Sequence, residues 1–349
     1  MRLNNKSLVK SSVVAAGGLA MMMGHAAVFA HGESIRGGGA GSINAVGAAI
    51  IEDFSIGLRW DARRYDTFSR QEMVEFRQQG EDVHAHEEEN AYFFNVGIPI
   101  TEDMDMAVMV QYNQFKGFLD NGDGQATACF AAAAPAFPTD CISETDDSTG
   151  WGDTLITARY RFYNDGTHQI AGILGMIAPT GKITNKTDKN RGTGQDEILG
   201  THNQPGSGAF TMQFGVAYSG HLTDKIGMDA DVIYRASGPG ANNFRSGNSA
   251  QIDAALSYKH HSKIFPVLEL NGIFFKKDNE DDEPKTNSGG DVIYISPGIN
   301  IDLGAKNGVY ANVSYPIYQE LGGISNDEKY RFSLGWSYTF GEAHGGHGH

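Results

Sequence analysis

In run after run of this chain, every second residue is large and apolar, and the residues between are polar, charged or tiny. The last run shows it most fully. Tyr330, Phe332, Leu334, Trp336, Tyr338 and Phe340 alternate with Arg331, Ser333, Gly335, Ser337 and Thr339. Side chains in a strand alternate faces with a period of two, so one face is apolar and the other wet. The run is as long as a membrane-crossing β-strand, roughly 9–11 residues. Residues 54–63 repeat the scheme: Phe54, Ile56, Leu58, Trp60 and Ala62 oppose Ser55, Gly57, Arg59, Asp61 and Arg63. Three charges on one face would be costly in a dry core. A water-filled lumen accommodates them.

The alternation predicts strands at 54–63, 91–100, 104–114, 152–163, 169–179, 208–219, 226–236, 249–260, 264–275, 291–303, 309–317 and 330–340. That is about twelve, an even number as single-chain bacterial barrels require. The connections alternate long and short without a break. Short ones include Thr101-Glu-Asp103, Asn164-Asp-Gly166 and Gly304-Ala-Lys-Asn-Gly308. Asn and Gly supply the left-handed backbone that tight hairpins need. The expected fold is all-β: a transmembrane up-and-down antiparallel barrel with long extracellular loops, short periplasmic turns and both chain ends in the periplasm. A soluble sandwich or jelly roll has no reason to keep that parity.

The N-terminus agrees with export. Arg2, Lys6 and Lys10 make a basic region, 13–28 is apolar and small, and Val28-Phe-Ala30 offers small residues to a signal peptidase. The alternative, a membrane anchor, falls short of the ~18 apolar residues a spanning helix wants. Residues 1–30 are therefore read as a signal peptide, 31–52 as a flexible periplasmic lead-in, 53–340 as the barrel and 341–349 as a periplasmic His/Gly-rich tail. The mean hydropathy of −0.34 suits a barrel, since half of each strand and all loops are polar. The formal charge of −15 argues against a nucleic-acid partner.

From Gly150-Trp-Gly-Asp-Thr-Leu-Ile-Thr-Ala-Arg-Tyr160 onward, through Ala178-Pro-Thr-Gly-Lys182, Gly206-Ser-Gly208 and Pro316-Ile-Tyr-Gln319, the chain resembles outer-membrane transporters of the group named for the meta-cleavage pathway of phenol degradation. The resemblance covers roughly 150–340. It implies a Gram-negative outer-membrane barrel and passive passage of small molecules, and it carries over no catalytic residue. This chain departs from the pattern by adding nine residues after Phe340.

The wet faces offer a lumen lining of Arg59, Asp61, Arg63, Arg159, Arg161, Asp229, Asp231, Arg235, Asp253, Lys259, Glu269 and Arg331. Mixed signs point to facing acids and bases, which either brace the lumen or line a narrow path. No cofactor fingerprint appears, but imidazoles at the ends suit zinc, copper or nickel. They are His31, which cleavage would make N-terminal, with His344, His347 and His349 in the tail; the alternative is a solvated tail. His84 and His86 on the first long loop are a second metal candidate, or part of a solvated acidic loop. Cys129 and Cys141 are read as one disulfide, or as two free thiols. Asp278-Asn-Glu-Asp-Asp-Glu283 is read as a solvated loop able to bridge divalent ions at a lipopolysaccharide surface. No hydrolase elbow, His-Glu-x-x-His helix or nucleotide fingerprint appears, so no enzyme chemistry is expected. The partners expected are outer-membrane lipid and lipopolysaccharide, the barrel-assembly machinery and a small solute. The function expected is passive passage of that solute, an aromatic or a metal-linked one; the alternative is a non-conducting, metal-binding barrel.

Overall fold

The computed structural model describes residues 42–79, 81, 83–120, 143–145, 148–186, 198–199, 203–259, 263–285 and 288–341. Twelve strands form one closed antiparallel barrel: β1 Ser55–Tyr65, β2 Glu88–Thr101, β3 Met104–Lys116, β4 Thr154–Asn164, β5 His168–Ala178, β6 Thr211–Thr223, β7 Ile226–Ser237, β8 Ser249–Tyr258, β9 Ile264–Phe275, β10 Gly290–Gly304, β11 Asn307–Leu321 and β12 Glu328–Thr339. Each strand pairs with its sequence neighbours, and β1 pairs with β12 to close the ring. Closure leaves no unpaired edge, which a membrane requires.

The alternating pattern sets the two faces. Leu58, Phe94, Leu174, Val216, Val232, Ile252 and Leu268 are exposed on the outer wall. Exposed aromatics flank that apolar band, with Phe54, Tyr160, Phe162, Tyr258 and Phe340 towards the short turns. Tyr92, Tyr112, Trp151, Phe210, Tyr234 and Tyr330 flank it towards the long loops. Aromatic girdles of this kind mark the two interfaces of a membrane barrel. The intervening residues, Arg59, Asp61 and Arg63 among them, are buried inside.

Several strands run beyond their apolar stretch. β2 begins at Glu88, β11 continues to Leu321 and β12 begins at Glu328. The ladder persists where the wall leaves the apolar band, so hydrophobic alternation underestimates its length. The connection after β1 also holds a helix, α1 Arg70–Gln78. Ser69 and Glu72 form a reciprocal capping box at its start. Its Met73 and Val74 pack with Val83 and Ile324, and Leu119 joins them. The helix thereby packs against the other loops at the long-loop end of the barrel.

The short turns are built differently from one another. In the β4–β5 turn Gly166 is left-handed (φ +86°), and the Asn164 side chain accepts its N–H. The Asp165 carboxylate accepts from the backbone N–H groups of His168 and Thr167, which hold its pKa down at about 2. In the β10–β11 turn Ala305 (φ +46°) and Lys306 (φ +62°) are both left-handed, without being glycine. Lys306 nevertheless reaches Asp53, beside the seam where the Phe340 N–H donates to the Phe54 carbonyl at 2.7 Å.

The largest difference from the sequence reading concerns the lead-in. Its described part, residues 42–51, is not a free periplasmic segment. It lies inside the barrel, buried at every position except the half-buried Asn44.

Candidate functional site: the barrel lumen

The lumen is filled at its short-turn half by that segment. Ser42-Ile-Asn-Ala-Val-Gly-Ala-Ala-Ile-Ile51 has no strand partner, so its peptide groups need other partners. Side chains of the wall supply them. Asp229 accepts from the Ser42 N–H at 3.3 Å and from its hydroxyl at 3.0 Å. Glu269 accepts from the N–H groups of Ile43 and Asn44. Asp231 accepts from Val46 N–H at 2.6 Å, the Ser219 hydroxyl from Ala48 N–H at 2.8 Å, and Asp105 from Ile51 N–H at 2.9 Å. The carbonyls are met by arginines: Arg59 donates to Ile43 O at 3.1 Å, and Arg159 to Gly47 O at 2.5 Å. Such hydrogen bonds are each worth roughly 0.5–1.5 kcal/mol, and about 1.5–3 where the partner is charged, as for the two arginines. The segment is therefore seated on six strands, β1, β3, β4, β6, β7 and β9.

Two wall glycines make room for it. A Cβ on Gly298 would lie 2.8 Å from Ile43 Cδ1, and one on Gly97 would lie 2.7 Å from Ile51 Cδ1. Between these anchors Val46 and Ala48 pack with Ala107, Ala171, Ile173, Ala217 and Ile233 of the wall.

Next to the segment the lumen wall has two characters. On one side a polar chain crosses β6 to β11. Arg235 donates to Gln213 at 3.1 Å and to Gln251 at 2.9 Å. Gln251 and Asn271 both donate to Asp253, and Ser296 links Asn271 (2.8 Å) to Ser314 (2.7 Å). On the other side Ala91, Phe93, Met109, Leu155 and Ile177 form an apolar surface across β2 to β5. Nearer the long loops, Arg63 pairs with Glu89 (3.1 Å) and Arg331 with Glu328 (3.0 Å). Tyr65 donates to Glu89 and Tyr294 to Glu328. In these two pairs each carboxylate thus has an arginine and a tyrosine hydroxyl as partners, which offsets much of its desolvation.

Of the twelve side chains predicted for the lumen, Arg59, Asp61, Arg63, Arg159, Asp229, Asp231, Arg235, Asp253, Glu269 and Arg331 are buried inside the barrel. Arg59 pairs with Asp61 at 2.5 Å and Arg159 with Asp105 at 2.5 Å. Arg161 turns instead to the rim, where the β4–β5 register shifts. It clasps Asp103 at 2.9 Å and the Glu102 carbonyl at 2.8 Å. Lys259 lies half-buried past the end of β8, its N–H on the Lys225 carbonyl. The predicted lumen lining did not include Asp105, Glu89, Glu328 or Ser219. Parity alone would have found Asp105 and Ser219. Glu89 and Glu328 fell in stretches read as loop.

The metal and disulfide candidates fare differently. His31, His344, His347, His349, Cys129 and Cys141 lie outside the described residues. His86 is buried, its ring 5.5 Å from that of Phe115 and 5.2 Å from that of Phe118, and His84 sits on a short strand paired with 118–120. Among the described residues no three His, Cys, Asp or Glu side chains converge on a metal position. Asp278 belongs to a packed loop. It accepts from Gly247 N–H at 2.7 Å, and burial pushes its carboxyl up to about 6.

Solved structures of similar shape include outer-membrane channels and porins. The COG4313 outer membrane channel from Pseudomonas putida F1 superposes with a TM-score of 0.57 at 14% identity, over 84% of this chain and 97% of that one. The CymD monoaromatic hydrocarbon channel gives 0.45 at 9% identity (91% and 99% covered), and the KdgM porin 0.41 at 9% (82% and 99%). Comparison with curated proteins gives no match. The chain thus has the twelve-stranded outer-membrane channel fold of Gram-negative bacteria. A family model described as "Putative MetA-pathway of phenol degradation" matches residues 104–332, about two thirds of the sequence, and the chain belongs to that family.

Proposed function

We propose that this protein is a small-solute channel of the outer membrane, closed by its own segment 42–51 and opened when that segment leaves the lumen. The carrying observation is the way the segment is held. Its backbone hydrogen-bonds to wall side chains rather than to a β-ladder. Those wall groups are polar, so water can take over their hydrogen bonds when the segment is gone. A permanently filled core would be served better by apolar packing. In this reading the short-turn end faces the periplasm, residues 1–30 are removed on export, and the segment enters from the periplasmic side. The barrel does no covalent chemistry. The family description brings aromatic compounds forward as cargo, and Phe93, Met109, Leu155 and Ile177 give a ring an apolar surface to pass.

A barrel sealed for good is the competing reading, and the buried segment favours it. A double variant, Gly47→Cys with Ser219→Cys, separates the two, because a Cβ on Gly47 would lie 2.8 Å from Ser219 Oγ, within reach of a disulfide. In vesicles, solute uptake should fall when the pair is oxidised and return on reduction. Uptake equal in both states, with the crosslink verified by mass, would show that the segment does not move.

A further inference from the structure

The carboxylates that hold the inner segment outnumber the cations around them. Arg59 is tied to Asp61 and Arg159 to Asp105, each at 2.5 Å, so those charges are matched. That leaves Asp229 and Asp231 on β7, Asp253 on β8 and Glu269 on β9, all buried on the lumen face. The ladder makes them one strip. Asp231 stands directly opposite Asp253, and Ala255 stands opposite both Asp229 and Glu269. Side chains directly opposite in a ladder have Cβ atoms roughly 4.5–5.5 Å apart. The cations beside the strip are Arg235, which donates to Gln213 and Gln251, and the half-buried Lys259. Even with both counted, carboxylates remain in excess.

The segment covers this strip with donors. Glu269 accepts from the N–H groups of Ile43 and Asn44, Asp231 Oδ2 from Val46 N–H, and Asp229 Oδ2 from the Ser42 N–H and hydroxyl. The other oxygen of Asp231, Oδ1, is buried and makes no hydrogen bond to protein. Residues 42–51 include no charged side chain, so the segment brings amide dipoles and no counter-charge. Because these oxygens hold the segment itself, the space it vacates on leaving runs along them. Carboxylates in contact with water there are ionised at neutral pH.

We propose that Asp229, Asp231, Asp253 and Glu269 form a cation filter, and that the solutes favoured by the open lumen are small cations such as primary ammonium compounds. The inference rests on the channel reading. An ammonium brings three N–H donors, the kind of group the segment offers these oxygens, and adds the positive charge that the segment lacks. An anion of equal size meets repulsion from the same strip. Twelve strands enclose a narrower lumen than the 16–18 of porins. The field of the strip therefore reaches across the path at about 0.1 M salt, where the Debye length is about 10 Å.

The test is the reversal potential of the full chain's openings in a planar bilayer, under a gradient of methylammonium chloride. Wild type should pass methylammonium at least about fivefold more readily than chloride near 0.1 M. The preference should shrink towards 1 M, where the Debye length is about 3 Å. Asp231→Asn with Glu269→Gln keeps the shape and removes two charges; the ratio should fall below about twofold. Asp253→Asn, whose partners Gln251 and Asn271 belong to the wall, covers the case in which the double variant does not assemble; it should lower the ratio in part. A purely structural role would leave the sign and size of the potential unchanged. A wild-type potential at zero, or one showing chloride preference, overturns the inference while the channel reading stands. So does a cation preference that survives both variants intact. No opening in any of these chains overturns the filter and the channel together.

Discussion

Gly298 and Gly97 show how single positions decide what the lumen holds. Each lets an isoleucine of the inner segment come up against the wall, so a larger residue there crowds it. Gly298→Val should displace Ile43, and its Cβ would also press on Asn312 Cβ (2.8 Å) and Ala311 O (3.0 Å) of β11. We expect cleavage of residues 42–51 by added protease to rise about tenfold, a loss of about 1.4 kcal/mol of seating. Asp278 offers a pH test. Its carboxyl is raised from 3.8 to about 6 by burial, against the pull of Gly247 N–H and Lys285. An acid with a raised folded-state value favours the packed loop fully below its unfolded value. That contribution is lost as pH rises through about 6, and the shift of about two units corresponds to at most about 3 kcal/mol. Hydrogen exchange at 244–248, corrected for intrinsic rates, should show protection falling between pH 4 and 7. Asp278→Asn should make it flat. At this scale the sequence was a partial guide. Alternation gave the inward direction of Arg59, Asp231 and Glu269. It could not give their partners, because Glu269 meets Ile43 across 226 positions of sequence.

The β-hairpins are the best-specified elements, and one of them is strained. Ala305 and Lys306 both hold left-handed backbone, which costs an L-residue with a Cβ roughly 1–2 kcal/mol. Ala305→Asn should recover about 1 kcal/mol and slow unfolding in urea, since Asn tolerates that conformation. Lys306 is best kept, because its ammonium bridges the turn to Asp53 at the seam. The strands were legible because lipid on one side and polar groups on the other impose a strict period of two. Segment 42–51 was not legible. Its small apolar residues match no partner strand, and glycines just before it suggested a loop. Only the assembled barrel offers the carboxylates that satisfy its backbone. Helix α1 was missed for a related reason: within a polar stretch its capping box, Ser69 with Glu72, was the available signal.

For the whole molecule, even strand number, alternating loop lengths and an aromatic final strand were enough to predict a closed barrel. The filling of that barrel follows from long-range pairing, which the order of residues does not display. The decisive measurement is single-channel current in a planar bilayer for the full chain and for a chain lacking residues 42–51. The full chain should stay closed with brief openings, and the shortened chain should carry a steady, ohmic current. A shortened chain that folds to the same closed barrel and passes no current would contradict the channel and its plug together.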